Sequence, residues 1–148
     1  MSQLHVVFGT GPIGRATVDE LVRDSDIVMH LAAAVGVKYI IENPLHSMRV
    51  NVRGTENVLE SADRHGTRVI LFSTSEIYGK SPDVPFREDA DRLLGPTTVH
   101  RWSYSTAKAV DEILGLAYHE ERGLPVVSSM GASSRTDPTR VRIGASTD

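Results

Sequence analysis

The sequence predicts a parallel α/β domain, because short β-rich apolar runs alternate with longer segments of helical periodicity. The apolar runs that we predict as strands begin at Leu4, Asp26, Arg68 and Leu124. A glycine-rich turn follows the first of these runs, and the near-continuous apolar run over 68–72 is typical of a buried parallel strand. Together these observations predict one domain built on a doubly wound sheet of about four strands.

Composition and charge fit a globular domain and exclude several other classes. Apolar residues make up 40% of the chain, charged residues 24%, and the net charge is −3, so nothing indicates a nucleic-acid-binding surface. The absence of cysteine excludes disulfides and thiolate metal ligands, and the six histidines show no metal-binding spacing, so we expect no metal. No leader-like start and no bilayer-length apolar run occur, so we expect a cytoplasmic protein without membrane contact.

The first predicted strand, Leu4–Phe8, leads directly into a Gly-x-Gly-x-x-Gly motif over 9–14 and then into a helix predicted over 15–23. In this context the motif binds a dinucleotide, because its glycines let backbone N–H groups approach a pyrophosphate at the helix N-terminus. A glycine-rich turn without a ligand is the alternative. The acid that usually holds the adenosine ribose is missing from the end of the next strand, since Asp24 and Asp26 lie at its beginning.

Two long helices are predicted in the rest of the chain. The segment 35–42 is a loop or short helix, and Asn43 with Pro44 marks a helix start, with Asn43 as the predicted N-cap. Apolar residues then recur at steps of three and four until His65–Gly66. A second helix is predicted over 103–122, where two apolar stripes indicate packing against the sheet and against another helix.

Two segments lack periodicity. Residues 81–100 contain three prolines and several charges, so we predict a long loop, which in a compact domain is often functional. The pattern is lost again after residue 127. We therefore predict a domain over 1–127 and an irregular tail over 128–148.

A tyrosine and a lysine carry the chemical signal on which the functional prediction depends. Tyr104 and Lys108 stand four residues apart in the second long helix, so their side chains lie on one helix face. A nearby ammonium lowers the pKa of a phenol, which otherwise titrates near ~10. A hydroxyl at a neighbouring strand end, such as that of Thr74, can hold the substrate oxygen that loses its proton. This set suits hydride chemistry at a carbinol carbon, although the spacing alone occurs by chance in many helices.

Five motifs occur in a recognisable order over residues 4–127. They are the glycine turn over 9–14, the strand end His30-Leu31-Ala32-Ala33, the segments 51–55 and 73–79, and Tyr104–Lys108. In this order the chain resembles the extended short-chain dehydrogenase/reductase superfamily, in particular NAD-dependent nucleotide-sugar epimerases, dehydratases and decarboxylases such as UDP-glucuronate decarboxylase and UDP-glucose 4-epimerase. The resemblance implies a Rossmann-like fold, NAD as cofactor and a nucleotide-sugar, most simply a UDP-sugar, as substrate.

The resemblance also implies a role for each matching residue. Tyr104 would be the base that takes a proton from a sugar hydroxyl while hydride moves to NAD, Lys108 would hold the nicotinamide ribose and tune Tyr104, and Thr74 would bond the hydroxyl. Ser75 and Glu76 match a Thr-Ser-Glu pattern of decarboxylases and some dehydratases. Glu76 is either a second acid/base or a loop carboxylate that caps a backbone amide. The implied cofactor-binding residues are Gly9, Gly11, Ile13, Gly14, Ala32, Ala33, Asn51 and Lys108.

Two neighbouring features complete the resemblance. Asn51 corresponds to the asparagine that steadies the catalytic end of the sheet. The pattern Arg101-Trp102-x-Tyr104 also points to the decarboxylases, and we interpret Trp102 as a packing residue.

The chain departs from the family pattern by being shorter. The strand that ends in Ala32–Ala33 is the fourth in the family, yet here it follows the first helix. Two strand–helix units after residue 24, roughly 40 residues, are therefore missing. We expect a truncated sheet with the family's strands 1, 4, 5 and 6 and no sugar-binding domain. The alternative to an enzyme is a catalytically inactive remnant that binds nucleotide weakly or forms a homodimer, by resemblance through the helices 44–64 and 103–122.

Overall fold

The structure, a computed structural model, describes residues 12–130. The predicted strand over 4–8, Gly9 and Gly11 lie outside these residues, so their roles stay predictions. The described helices are α1 (Pro12–Arg23), α2 (Val37–Glu42), α3 (Pro44–His65) and α4 (Ser103–Arg122); the strands are β1 (Ile27–His30), β2 (Arg68–Ser73) and β3 (Val126–Met130); and short 3-10 helices span Ser75–Tyr78 and His100–Trp102.

The described strands form one parallel sheet in the order β1-β2-β3. Val69 in the central strand pairs with Val28 on one side and with Val126 on the other. This order confirms the neighbours expected for the last three predicted strands. The predicted boundary at residue 127 falls inside β3, which continues to Met130 opposite Ser73, because main-chain pairing does not require apolar side chains.

The helices α1, α3 and α4 pack on one face of the sheet. The buried core there combines residues from α1, α3, β2 and the segment after α4, and consists of Val22, Val58, Leu59, Ala62, Val69, Leu71 and Leu124; Leu114 and Tyr118 of α4 pack against it. On the opposite face, Ile27, Met29 and Val127 are each about half exposed. Within residues 12–130, the helical layer therefore covers one face of a parallel α/β sheet.

Both long helices have the predicted ends. Helix α3 ends at Gly66, with φ 67°, and α4 ends at Gly123, with φ 73°, a left-handed conformation that glycine adopts without strain. The start of α3 differs in one detail. The Asn43 side chain does not cap α3 and instead donates a 3.3 Å hydrogen bond to the Tyr39 carbonyl, because α2 ends immediately before it.

Two features of residues 12–130 bear on possible partners. No helix in this range is long and apolar enough to cross a membrane. No group of three or more histidine or acidic side chains there is arranged to hold a metal ion.

Candidate active site

Two segments bring the predicted catalytic residues to the carboxyl end of β2. Thr74 follows β2 directly, and the 3-10 helix Ser75–Tyr78 then packs against α4, which carries Tyr104 and Lys108. In open parallel sheets, ligands bind outside the carboxyl ends of the strands. The fold therefore places these residues at the edge where the sequence predicts a site, with Ser75 exposed to solvent.

Thr74 organises the turn after β2. Its Oγ1 accepts a 3.2 Å hydrogen bond from the backbone N–H of Glu76 and so caps the 3-10 helix. A hydroxyl that accepts this bond keeps its own proton available for donation. The half-buried Thr74 side chain can therefore still bond a substrate oxygen.

Glu76 forms an ion pair with Arg101 across this edge. Arg101 Nη1 donates to Glu76 Oε2 at 2.7 Å, and the two side chains are 34% and 38% exposed, respectively. The interpretation of Glu76 as a cap of a backbone amide is wrong, because Thr74 performs that role and the carboxylate binds a guanidinium. Its role as a second acid/base stays a prediction.

Trp102 connects this ion pair to the long loop. Its ring lies 5.6 Å from Arg101 Cζ and 5.7 Å from Lys80 Nζ, as in cation–π contacts. The indole also covers Gly95, where any β-carbon would collide with it. These contacts fit the interpretation of Trp102 as a packing residue that fixes the loop beside the site.

Lys108 lies in the interior of the domain. Its Nζ donates a 3.2 Å hydrogen bond to Asp111 Oδ2, and both side chains are only 4% exposed. Burial raises the pKa of Asp111, whereas the Lys108 charge and the Thr55 hydroxyl lower it. Sequence reasoning missed Asp111, although a lysine and an acid three residues apart on a helix are an available signal.

The pKa of Tyr104 is raised, not lowered. Burial is the largest cause, and the carboxylates of Glu76 and Asp111 add to it. The expectation that Lys108 lowers this pKa is therefore contradicted in this arrangement. The physical reason is the ion pair, because the ammonium is directed to Asp111.

His30 and Thr55 extend the same buried polar layer. His30, at the end of β1, is 6% exposed, and its Nε2 lies 3.1 Å from Thr55 Oγ1 on α3. Burial lowers the pKa of His30 to about 4, and the positive charge of Lys108 contributes. His30 is therefore neutral at neutral pH. We define these two residues with Lys108 and Asp111 as the buried polar layer.

Asn51 fastens the backbone beyond β1 to α3. Its Oδ1 accepts a hydrogen bond from the Ala34 N–H at 2.6 Å, and its Nδ2 donates to the Ala34 carbonyl at 3.2 Å. This geometry supports the expectation that Asn51 steadies the end of the sheet. Because the side chain is only 1% exposed and bonded to Ala34, Asn51 acts on this rim indirectly, by holding Ala34, and its predicted cofactor contact stays a prediction.

The rim beyond β1 carries the two alanines that are predicted to lie near the adenosine. Ala32 is exposed and Ala33 is half-buried, and their contact with a cofactor stays a prediction. Ile13 and Gly14 lie in the first turn of α1. Their predicted contact with a pyrophosphate stays a prediction, because the preceding glycines lie outside the described residues.

A parallel sheet with a Tyr-x-x-x-Lys helix beside the carboxyl end of a strand defines a class, the extended short-chain dehydrogenases/reductases. Comparison with protein families narrows this class. The GDP-mannose 4,6 dehydratase family matches residues 13–140, and the chain belongs to this family.

Curated proteins of similar sequence support this family assignment. The chain is 44% identical over 114 residues to a UDP-N-acetyl-alpha-D-glucosaminuronate decarboxylase of Bacillus cytotoxicus, a match that covers 77% of this chain and 35% of the relative. It is 35% identical over 111 residues to a dTDP-glucose 4,6-dehydratase of Streptomyces niveus, covering 74% of this chain and 31% of that protein. The chain thus spans about a third of the length of the curated relatives it matches.

Solved structures confirm the Rossmann-like fold. The PbgP3 protein of Burkholderia pseudomallei matches with a TM-score of 0.76 and 26% identity, over 80% of this chain and 35% of that one. The UDP-glucose 4-epimerase of Brucella ovis in complex with NAD matches with a TM-score of 0.69 and 25% identity, over 78% of this chain and 35% of that one.

Proposed function

We propose that this chain forms the cofactor- and base-bearing part of an NAD-dependent nucleotide-sugar epimerase, decarboxylase or dehydratase. The observation that carries the proposal is the convergence of Thr74, Glu76 and Tyr104 at the carboxyl end of β2. The 2.7 Å bond from Arg101 to Glu76 joins the strand end to the segment that begins α4. Relatives of similar sequence are named as a decarboxylase, a dehydratase and a probable epimerase.

NAD is the proposed cofactor, because the Brucella ovis epimerase of similar fold is a complex with NAD. When bound, NAD supplies a nicotinamide that accepts a hydride from the sugar and returns it. On the protein side, Tyr104 takes the proton of the sugar hydroxyl and Thr74 forms a hydrogen bond with that hydroxyl. Lys108 supplies positive charge one helical turn further along α4. In this proposal Glu76, which pairs with Arg101 at the same rim, acts as a second acid/base in the step after oxidation.

A UDP-sugar is the proposed substrate class. The relative at 44% identity is named for a UDP-linked sugar acid, and a further relative, from Rhizobium meliloti, is named a probable UDP-glucuronate 4-epimerase. The dTDP-glucose dehydratases, at 35% and 37% identity, are less similar than the relative at 44% and slightly more similar than the Rhizobium meliloti protein, at 34%. The preference for UDP therefore rests on the relative at 44% identity.

Calorimetric titration of the purified chain with NAD tests the proposal. We expect saturable binding with a Kd below about 1 mM, equivalent to about 4 kcal/mol. The variant Lys108→Met should bind at least about tenfold more weakly, a loss of about 1.4 kcal/mol. The matched control, Lys38→Met, changes an 88% exposed lysine on α2 and should bind like the wild type. Circular dichroism establishes that each variant is folded, and no binding heat from folded wild type at millimolar NAD would overturn the proposal.

A second candidate function is that of a catalytically inactive, dimerising fragment. It is favoured by apolar side chains that α4 exposes, since Ile113 is 57% and Leu116 60% exposed. We propose that two copies associate through α3 and α4. Sedimentation of the wild type should give a dimer, and Leu116→Glu a monomer. The control, Val84→Glu in the long loop, changes a 72% exposed residue and should stay dimeric. A monomeric wild type would exclude this candidate.

A further inference from the structure

We propose that Asp111 is a positioning residue of the active site: its carboxylate fixes the Lys108 ammonium in the buried polar layer and thereby sets the charge next to Tyr104. The inference rests on the proposed function of Tyr104 and Lys108. It adds a residue that lies one turn beyond the Tyr-x-x-x-Lys motif.

The geometry of the pair supports this role. Lys108 and Asp111 are each 3% exposed, so neither charge is stabilised by water, and the 3.2 Å bond between them supplies the compensation. Asp111 Oδ1 has no hydrogen-bond partner among residues 12–130, so the carboxylate is held through one oxygen. An ammonium has three donors, and Asp111 accepts from one of them. The bond to Asp111 therefore fixes the position of the Lys108 ammonium while using one of its three donors.

Among residues 12–130, Asp111 is the acid that forms an ion pair with Lys108. From β1, His30 faces the layer in its neutral form, because its pKa is lowered to about 4. From α3, Thr55 contributes only a hydroxyl, which contacts His30. The charge balance of the layer thus depends on Lys108 and Asp111.

The pKa of Tyr104 depends on these charges. The Asp111 carboxylate raises the pKa of Tyr104, as does Glu76 from the 3-10 helix after β2. Replacing Asp111 with Asn removes one of these carboxylates and also leaves the Lys108 charge uncompensated. Both changes favour the phenolate, so they act in the same direction.

Titration of the Tyr104 ring by NMR tests the inference without any cofactor. Ring-labelled tyrosine reports all four tyrosines, and Tyr104→Phe identifies the signal. We expect Asp111→Asn to lower the pKa of Tyr104 by about one unit. The matched control is Glu120→Gln, which removes an exposed carboxylate near the end of the same helix and should leave the titration unchanged. An unchanged Tyr104 pKa in folded Asp111→Asn would overturn the inference.

A second variant covers the case in which Asp111→Asn does not fold. Lys108→Met/Asp111→Leu removes both charges together, a change that buried pairs commonly tolerate. The two charges act on Tyr104 in opposite directions, so the reference for this variant is Lys108→Met, which keeps the Asp111 carboxylate. Tyr104 should have a lower pKa in the double variant than in Lys108→Met, and equal values would reject the role of Asp111. Failure of NAD binding, by contrast, would reject the proposed function, so the two failures are distinguishable.

Discussion

Two ion pairs flank Tyr104, and they differ in their exposure to water. The Arg101–Glu76 pair lies at the rim with about a third of each side chain exposed, whereas the Lys108–Asp111 pair is almost fully buried. Water screens the first pair and can replace either partner, so its side chains are free to rearrange around a ligand. In the buried pair, water can replace neither Lys108 nor Asp111. The site therefore combines two kinds of ion pair. The Arg101–Glu76 pair, next to the start of α4, is exposed and can rearrange, whereas the Lys108–Asp111 pair, further along α4, is buried and fixed.

Breaking the buried pair should give the largest effect on stability. We expect Asp111→Ala to lower the free energy of unfolding by about 3–5 kcal/mol, because it leaves the Lys108 charge buried without a partner. Urea unfolding followed by circular dichroism measures the change. The double variant Lys108→Met/Asp111→Leu should recover most of the loss, and a loss below about 1 kcal/mol for Asp111→Ala would show that the pair is not buried as described.

The buried polar layer should also make stability depend on pH. The pKa of His30 is about 4 in the folded chain, below its ordinary value of 6.5, so the unfolded chain takes up this proton at higher pH. Stability is therefore lost as pH falls from about 6.5 to 4, by up to about 3 kcal/mol. Asp111, whose pKa is raised, acts in the opposite direction. The test is thus the difference between the wild type and His30→Gln, measured by urea unfolding across this range.

His46→Gln is the matched control for the pH experiment, because His46 is exposed. It should keep the wild-type pH dependence, whereas His30→Gln should flatten it. If His30→Gln and the wild type lose stability in parallel between neutral pH and pH 4, His30 is not held neutral by burial.

Removing the hydrogen bonds that join α3 to the rim beyond β1 should have an intermediate effect on stability. Asn51→Ala removes two hydrogen bonds to Ala34 and leaves that backbone without its partners, so we expect a loss of about 2 kcal/mol in urea unfolding. Asn57→Ala, at a half-buried position on the same helix, should cost less than about 0.5 kcal/mol. Equal losses for the two variants would contradict the indirect role assigned to Asn51.

Breaking the exposed Arg101–Glu76 pair should have the smallest effect on stability. We expect Arg101→Gln to lower the unfolding free energy by no more than about 1 kcal/mol, because solvent reaches both side chains. The difference in unfolding free energy between the wild type and Arg101→Gln should become smaller at high salt. A salt-independent loss comparable to that of Asp111→Ala would remove the distinction between the two pairs.

The sequence predicts the framework of the site better than its internal contacts. The limits of α4 and the position of Thr74 at a strand end follow from periodicity and glycine placement, which are local signals, whereas the order of the three described strands follows from the family resemblance. Two features of the site do not follow from such signals: the burial of the Lys108–Asp111 pair, whose i, i+3 spacing is visible in the sequence, and the partner of Glu76. They depend on how deeply α4 is buried and on a contact between residues 76 and 101 that only the folded chain creates. The last residues of β3 were missed because strand pairing there leaves no apolar pattern.

NMR mapping of NAD binding tests the central claim most directly, because it locates the ligand on the described fold. In a spectrum of labelled backbone amides, we expect NAD to perturb the rim formed by Ala32–Ala34, Ser73–Glu76 and Tyr104–Lys108. Residues on the exposed side of α4, such as Ile113 and Leu116, should stay unperturbed. Perturbations centred on α4's exposed side, or none at millimolar NAD, would contradict the assignment of this rim as a cofactor site.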